Sequence, residues 1–251
     1  MYARGYRVTT DWIEADWPAP AGIIAGTTTR RGGVSDGPFS SMNLGAHVGD
    51  EPGRVAENRR RFVADCGLAT EPDWLTQVHG TAVRLPGAAG PVEADAAIAQ
   101  EPGAVVAVLT ADCLPILLCA DSGDEIAAIH AGWRGLAAGI VAATVSIMAT
   151  PPERLLAWLG PAISRPAFEV GDEVRAAFVA ADAGATACFQ QNERGRWQAD
   201  LYALAVRKLG AAGAGAVYGG GLCTFGDSER FFSYRRDGRC GRMATFIHRP
   251  G

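Results

Sequence analysis

Three short apolar runs and the segment after them decide the fold: Ala104-Val-Val-Ala-Val-Leu-Thr110, Cys113-Leu-Pro-Ile-Leu-Leu-Cys-Ala120, Glu125-Ile-Ala-Ala-Ile-His130, then Leu136 to Met148. Each run is bounded by Gly, Pro, Asp or Ser, which predicts strands, several of them buried. In Leu136 to Met148, Leu136, Ile140, Ala143 and Ile147 are spaced for one face of a helix that Pro151 and Pro152 end;. Working outward, Gly22 to Thr28 reads as a strand, and Thr29 to Gly37 as a loop rich in glycine and arginine;. Pro52 to Cys66 reads as a helix with Val55, Phe62, Val63 and Cys66 on one face. Asn58 and Arg59 fall off that face, which leaves Arg59 free to face a site;. Trp74 to Val78, Thr81 to Leu85 and Leu155 to Leu159 are further strand candidates. Glu173 to Ala181 and Asp200 to Ala212 read as helices, the second with Asp200 as N-cap;. Strands and helices interleave without strict alternation, so the expectation is an α+β sandwich of mixed β-sheets rather than a doubly wound parallel sheet.

Composition narrows the function classes. A chain of 251 residues fits one domain, and no linker, repeat or composition shift divides residues 1–251;. Its 32 glycines are nearly twice the usual share of about 7%, so loops should matter;. Net charge is −4 and no Lys/Arg block is long enough to track a phosphate backbone or an anionic membrane, which argues against nucleic acid as partner;. Met1 to Gly22 has no apolar core of a signal peptide, and no uncharged apolar run reaches the roughly 18 residues of a membrane span. A cytoplasmic monomer is expected. Six cysteines without a C-x-x-C pair are read as thiols, so a metal site must draw its ligands from distant segments;.

The four histidines stand at 47, 79, 130 and 248. His79, in Leu75-Thr-Gln-Val-His-Gly80, and His130, in Ile129-His-Ala-Gly-Trp-Arg-Gly135, both sit where a strand gives way to glycine. Cys113, in Thr110-Ala-Asp-Cys-Leu-Pro115, lies between two apolar strands. Two imidazoles and a thiolate are three ligands of the kind zinc prefers, with the fourth position left for water or substrate, a catalytic pattern. A strand-end histidine is also a common hydrogen-bonded structural residue and cysteine is among the most buried types, so spacing alone leaves both readings open. Asp112 and His47 are the nearest alternatives for a fourth ligand, neither well placed. Arg30, Arg59, Arg134, Arg235 and Arg236 lie in or beside Gly-rich or polar loops, where guanidinium forks suit phosphate or carboxylate. Phe39, Trp133, Phe231 and Phe232 neighbour those loops and could stack on a heterocycle or simply pack in the core.

Taken together, Thr29-Arg-Arg-Gly-Gly-Val-Ser35, Gly37-Pro-Phe-Ser-Ser-Met-Asn-Leu-Gly45, His47-Val-Gly-Asp50, Glu57-Asn-Arg59, Gln77-Val-His-Gly80, Thr110-Ala-Asp-Cys-Leu-Pro115, His130-Ala-Gly-Trp-Arg-Gly135, Trp158-Leu-Gly-Pro-Ala162, Phe168-Glu-Val-Gly171 and Phe232-Ser-Tyr-Arg-Arg236 resemble the polyphenol oxidase or laccase-domain family. That family is similar to bacterial peptidoglycan editing factor and to a human purine-metabolism enzyme. The motifs span nearly the whole chain in order. Departures are Met42, where the family usually has leucine, and Cys240 before Gly241-Arg242. The resemblance implies a single-domain sandwich with helices around mixed sheets, and a metal on His79, Cys113 and His130, Zn2+ or alternatively Cu2+. It implies phosphorolysis of adenosine, inosine and methylthioadenosine with phosphate, adenosine deamination, and, on another description, copper-dependent phenol oxidation.

On that basis Arg59 and Arg134 are assigned to phosphate, Asn43 and Gln77 to sugar or base, Arg30 and Phe232 to substrate, and Asp112 to acid–base work. The H-x-E and P-C-x-x-C pattern of zinc nucleobase deaminases is absent, so deamination must use another geometry. Four histidines are too few for the extra cluster of a multicopper laccase, which ranks oxidation second;. A hydrolase with Cys113 as nucleophile and His130 as base, for instance in editing a cell-wall precursor, needs the metal site empty. A metal-stapled binding protein needs a closed fourth ligand.

Overall fold

The computed structural model describes residues 11–88 and 93–251. The reading of Met1 to Gly22 as leaderless rests in part on residues 1–10, which lie outside the described residues. Strands β1 (Trp12–Glu14) and β2 (Ile24–Thr28) come first, and helix α1 (Pro52–Asp65) follows with Pro52 in its first turn;. Then come β3 (Val83–Arg84) and β4 (Ala96–Ala99), and after them the apolar trio β5 (Val105–Thr110), β6 (Leu114–Ala120) and β7 (Ile126–Ala131). Next are α2 (Trp133–Ala138), α3 (Ile140–Ile147), β8 (Leu155–Leu159), β9 (Glu169–Val170) and α4 (Asp172–Val179). The chain closes with β10 (Phe189–Gln191), β11 (Trp197–Ala199), α5 (Leu201–Ala211), β12 (Ala216–Gly219), α6 (Tyr234–Asp237) and β13 (Met243–His248).

Four layers result. An antiparallel sheet in the order β1-β2-β13-β5 packs on a mixed six-stranded sheet, β12-β8-β6-β7-β4-β3, whose two outer pairs are parallel. Val106 and Val108 of β5 and Ile247 of β13 meet Leu117, Cys119, Ala128 and Trp158 between the sheets. The opposite face of β5, Val105, Ala107 and Leu109, packs with Phe62 of α1 and Phe246. Ile116, Leu118 and Ile129 turn the far face of the large sheet toward Leu136 and Ile140 and toward Leu204 and Leu209 of α5. The trio is buried on both faces, and it therefore reads as uninterrupted apolar sequence. The short sheet β10-β11-β9 stands apart. Among the described residues, no helix is long and apolar enough to cross a membrane.

Three local expectations are corrected. The helix over Leu136 to Met148 breaks at Gly139, whose φ of 102° ends α2 and starts α3;. The break turns the buried face to Ile140, Val141, Thr144 and Val145, and Ile147 is left 47% exposed. Trp74 to Val78 contributes only the bridge Thr76–Glu93, because side chains claim the polar groups there, as described below. On α1, Asn58 is fully buried: its Oδ1 accepts from Val34 N, and its Nδ2 donates to Ser35 Oγ and to the Asn43 and Ser41 carbonyls. Such a residue pins the 33–43 loop to the helix, since a buried amide must find its partners.

Candidate metal and substrate site

The β5–β6 link crosses from one sheet to the other in three residues, Ala111, Asp112 and Cys113. Asp112 makes the corner at a φ of 94°, a left-handed conformation that costs a non-glycine residue of order 1–3 kcal/mol;. Its buried carboxylate compensates by accepting from Thr224 Oγ1 at 2.6 Å, Ser233 Oγ at 3.0 Å and Arg235 N at 2.6 Å. The corner delivers Cys113 to the sheet end, where His130, in register with Pro115, brings β7 to the same rim. His79 arrives from the preceding loop, itself at a φ of 62°.

Asp95 holds the two histidines together. It is fully buried at the head of β4, and its Oδ1 takes the His79 N–H at 2.9 Å and lies 2.8 Å from His130 Nδ1. Its Oδ2 takes the N–H groups of Gly80 at 2.6 Å and Val78 at 3.2 Å. With Nδ1 held, His130 presents Nε2, the orientation that carboxylate partners impose on metal-ligating histidines. Gln77 fixes the same loop to β5: its Nε2 donates to Leu109 O at 2.8 Å and its Oε1 accepts from Leu109 N at 2.7 Å. Close approach also needs bare backbone at Gly132, where a Cβ would stand 2.7 Å from His79 Cδ2 and 3.1 Å from Cys113 Sγ.

His79, Cys113 and His130 converge, with their ligand atoms all within 4.8 Å of one another and Cys113 Sγ 3.8 Å from His79 Nε2. A tetrahedral zinc with bonds of about 2.3 Å to sulfur and 2.0–2.1 Å to nitrogen separates S and N by about 3.6 Å, so the donor set fits such an ion with little movement. Burial opposes charge on Cys113, yet His130 and His79 outweigh it and bring the thiol down to about 6. Burial likewise opposes a charged His130, and the Cys113 thiolate and Asp95 together push it up to about 9. Each partner thus favours the other's charge, and without metal both shifts run toward a thiolate beside an imidazolium. Asp95 stays below its ordinary value despite burial, held by His130 and the backbone N–H groups.

The triad opens on a cavity of about 530 Å³ whose wall also carries Gln77, Asp112 and Arg134. Of the ten residues given roles above, six thus meet there, Gln77, Asp112 and Arg134 with His79, Cys113 and His130; Asn43, Arg59, Arg30 and Phe232 lie elsewhere. Phe232 is fully buried beneath Arg30, whose guanidinium binds the Ser40 and Ser228 carbonyls. Arg59 is not free: it donates twice to Leu44 O and lies over Trp74. Asn43 reaches the site only through Arg242, whose backbone N–H it accepts at 2.9 Å. In their place the cavity is completed by His47, Trp133, Phe168, Tyr234, Arg235 and Arg242. Partial burial, then Arg242 and Arg59, hold His47 below the ordinary histidine value. Arg235 and Trp133 are among the candidates of the sequence; Asp95, Tyr234 and Arg242 are not. The one signal for Asp95 is a carboxylate set between Ala94 and Ala96 in an otherwise apolar stretch.

A family model described as multi-copper polyphenol oxidoreductase laccase matches residues 24–250. The chain belongs to this family. A Pseudomonas aeruginosa relative named purine nucleoside phosphorylase PA4543 is 53% identical over 237 residues, covering 94% of this chain and 97% of the relative. Escherichia coli purine nucleoside phosphorylase YfiH is 52% identical with the same coverage. The crystal structure of Neisseria meningitidis protein NMB0706 superposes with a TM-score of 0.92 at 46% identity, covering 96% of this chain and 100% of that one. YlmD from Geobacillus stearothermophilus gives 0.87 at 31% identity, covering 96% and 97%. This family likeness agrees with the mixed α+β fold read from the sequence.

Proposed function

We propose that the chain is a purine nucleoside phosphorylase that acts on adenosine, inosine and methylthioadenosine, holds zinc on His79, Cys113 and His130, and also deaminates adenosine. One observation carries the reading: the His79, Cys113 and His130 triad, whose donor set suits a metal, opens on a nucleoside-sized cavity where Arg134, Arg235 and Arg242 have no carboxylate partner among the described residues;. Guanidiniums left unpaired beside a cavity are suited to an oxyanion. Relatives that share about half of their residues over 94% of this chain carry the phosphorylase name.

Phosphorolysis breaks the C1′–N9 bond of the nucleoside and joins C1′ to a phosphate oxygen, while the departing purine takes up a proton. Holding phosphate at the ribose turns the encounter into an oriented, effectively unimolecular step, the task given to Arg134, Arg235 and Arg242. Trp133, Phe168 and Tyr234 offer ring faces for the purine. His47, held below the ordinary histidine value, is assigned as a hydrogen-bond partner of the leaving base, and the proton that the purine takes up is the one hydrogen phosphate gives up as its oxygen joins C1′. When bound, a divalent ion at the triad supplies Lewis-acid polarisation and, for deamination, activation of water. Asp112, with three donors on its carboxylate, serves by positioning Arg235. Asn43 and Arg59 act at one remove, through Arg242 and the 44 carbonyl.

The test is chromatographic: hypoxanthine release from inosine, with and without phosphate, by the metal-loaded protein and by Cys113→Ala. Release that depends on phosphate and is lost in the variant supports the reading; release indifferent to phosphate overturns it.

Copper-dependent phenol oxidation ranks second, favoured by the family's description and by the affinity of a His/His/Cys site for copper;. A multicopper cluster needs further histidines close by. His248 pairs with Val105 while Met243 pairs with Thr110, so His248 lies at the far end of β13 from the triad, about 17 Å along the strand at roughly 3.3 Å per residue;. One copper at the triad is the form this second reading takes.

A further inference from the structure

A second cavity of about 280 Å³ adjoins the first, and the two share Trp133, Arg134, Phe168 and Arg235 as their common wall. Arg134 lies 4.5 Å over the Trp133 ring and Arg235 lies 5.3 Å over Phe168. A guanidinium laid on an aromatic face keeps its N–H edges available in plane for a planar or tetrahedral oxyanion. Arg235 commits one nitrogen to the Glu169 carbonyl, and Arg134 has no hydrogen-bond partner among the described residues. Arg196 completes the smaller cavity; it is exposed, its side chain makes no hydrogen bond or ion pair among the described residues, and it is absent from the wall of the larger one. Two carboxylates also line this cavity. Glu169 is committed to Asn192 and Arg194, and Glu173, which lies close over Gly171 at the start of α4 and makes no hydrogen bond among the described residues, sets its one charge against three arginines.

We propose that the smaller cavity is a phosphate subsite, built from Arg134, Arg196 and Arg235, from which inorganic phosphate reaches the nucleoside across the shared arginines. The identity of the anion as co-substrate rests on the phosphorylase reading; the presence of an oxyanion site does not. A phosphate with hydration water fits the space, each water taking about 30 Å³. Since the subsite has its own rim, a nucleoside already seated in the larger cavity leaves phosphate free to enter, and the two bind in either order.

Arg196→Gln tests this, because the residue lies outside the nucleoside cavity and the metal site. The expected result is a KM for phosphate raised about tenfold, the loss of one charge-assisted hydrogen bond. KM for inosine and metal content stay unchanged, and Arg196→Lys recovers part of the loss. An unchanged KM for phosphate, or a raised KM for inosine instead, overturns the proposal. Calorimetric titration of inorganic phosphate into the metal-loaded protein without nucleoside separates the two readings. Phosphate that binds the wild type and is weakened by Arg196→Gln, with no base released from inosine, keeps the subsite and sinks the phosphorylase. Phosphate-dependent base release, with binding that is the same in wild type and variant, does the reverse. If adenosine 5′-monophosphate binds more tightly than adenosine through Arg196 while inorganic phosphate does not bind, the pocket serves a nucleotide's own phosphate and the assignment to a free co-substrate fails.

Discussion

Replacing Asp95 with Asn keeps the shape of the side chain and removes half of what it does. The carboxylate accepts from Val78 N, His79 N and Gly80 N and is joined to His130 Nδ1, using both oxygens. An amide nitrogen at the Oδ2 position confronts the N–H groups of Val78 and Gly80. Placed at Oδ1 it confronts the His79 N–H, and it obliges His130 to accept at Nδ1 and move its proton to Nε2, the atom turned toward the metal ligands. Each orphaned buried donor costs about 1–3 kcal/mol, so the metal-free Asp95→Asn protein should lose roughly 2–4 kcal/mol at pH 7. Its metal affinity should fall about 10–100-fold, the usual effect of removing such a carboxylate. The pH dependence has a definite sign. The folded-state pKa of Asp95 lies below its ordinary value, so its contribution is complete above about pH 4 and is lost as pH falls through the folded value;. The gap between wild type and variant should therefore narrow in acid. Urea unfolding of both metal-free proteins at pH 7 and at a series of values below pH 4, with zinc competition against a chromophoric chelator at pH 7, measures these effects. Equal stability within about 0.5 kcal/mol and equal zinc affinity would refute the role given to Asp95.

Gly132→Ala should weaken metal binding, because its Cβ would stand 2.7 Å from His79 Cδ2. Moving His79 to relieve the contact misplaces a ligand by several tenths of an ångström, and zinc titration should register a loss of at least about tenfold, with unfolding of the metal-free protein altered less. Zinc affinity of the wild type should rise about tenfold per pH unit between about 6 and 9, where Cys113 is already a thiolate and His130 must release its proton to bind;. A flat profile over that range would contradict the imidazolium–thiolate pair. Phe62→Ala, deep between α1 and the antiparallel sheet, should cost about 3–5 kcal/mol in chemical unfolding without changing metal stoichiometry;.

The layers were legible where burial is two-sided and the signal is long: β5, β6, β7, β8 and α1 fall within a residue or two of their predicted bounds. Strands of two or three residues such as β9 and β11 carry too few side chains to show a period, and β13 escapes notice even though it lies inside its sheet;. Gly139 falls inside the helix read over Leu136 to Met148, because helical spacing says nothing of a left-handed φ;. At the site, His79, Cys113 and His130 are reactive types at strand ends, and this made them visible. The supporting residues were not: Asp95 binds backbone amides from a different segment, and Asn43 acts on Arg242 from 199 residues away. Such long-range pairings leave no local mark in the chain. Arg59 is the converse case, an arginine that suits phosphate by type but whose donors a backbone carbonyl already holds.

The most direct test strips the protein of metal with a chelator and returns zinc stepwise while hypoxanthine release from inosine and phosphate is followed, in wild type and in Cys113→Ala. The account expects activity to rise linearly and break at one zinc per chain in the wild type, with the variant inactive throughout; full turnover by the stripped wild type, or recovery in Cys113→Ala, would contradict it.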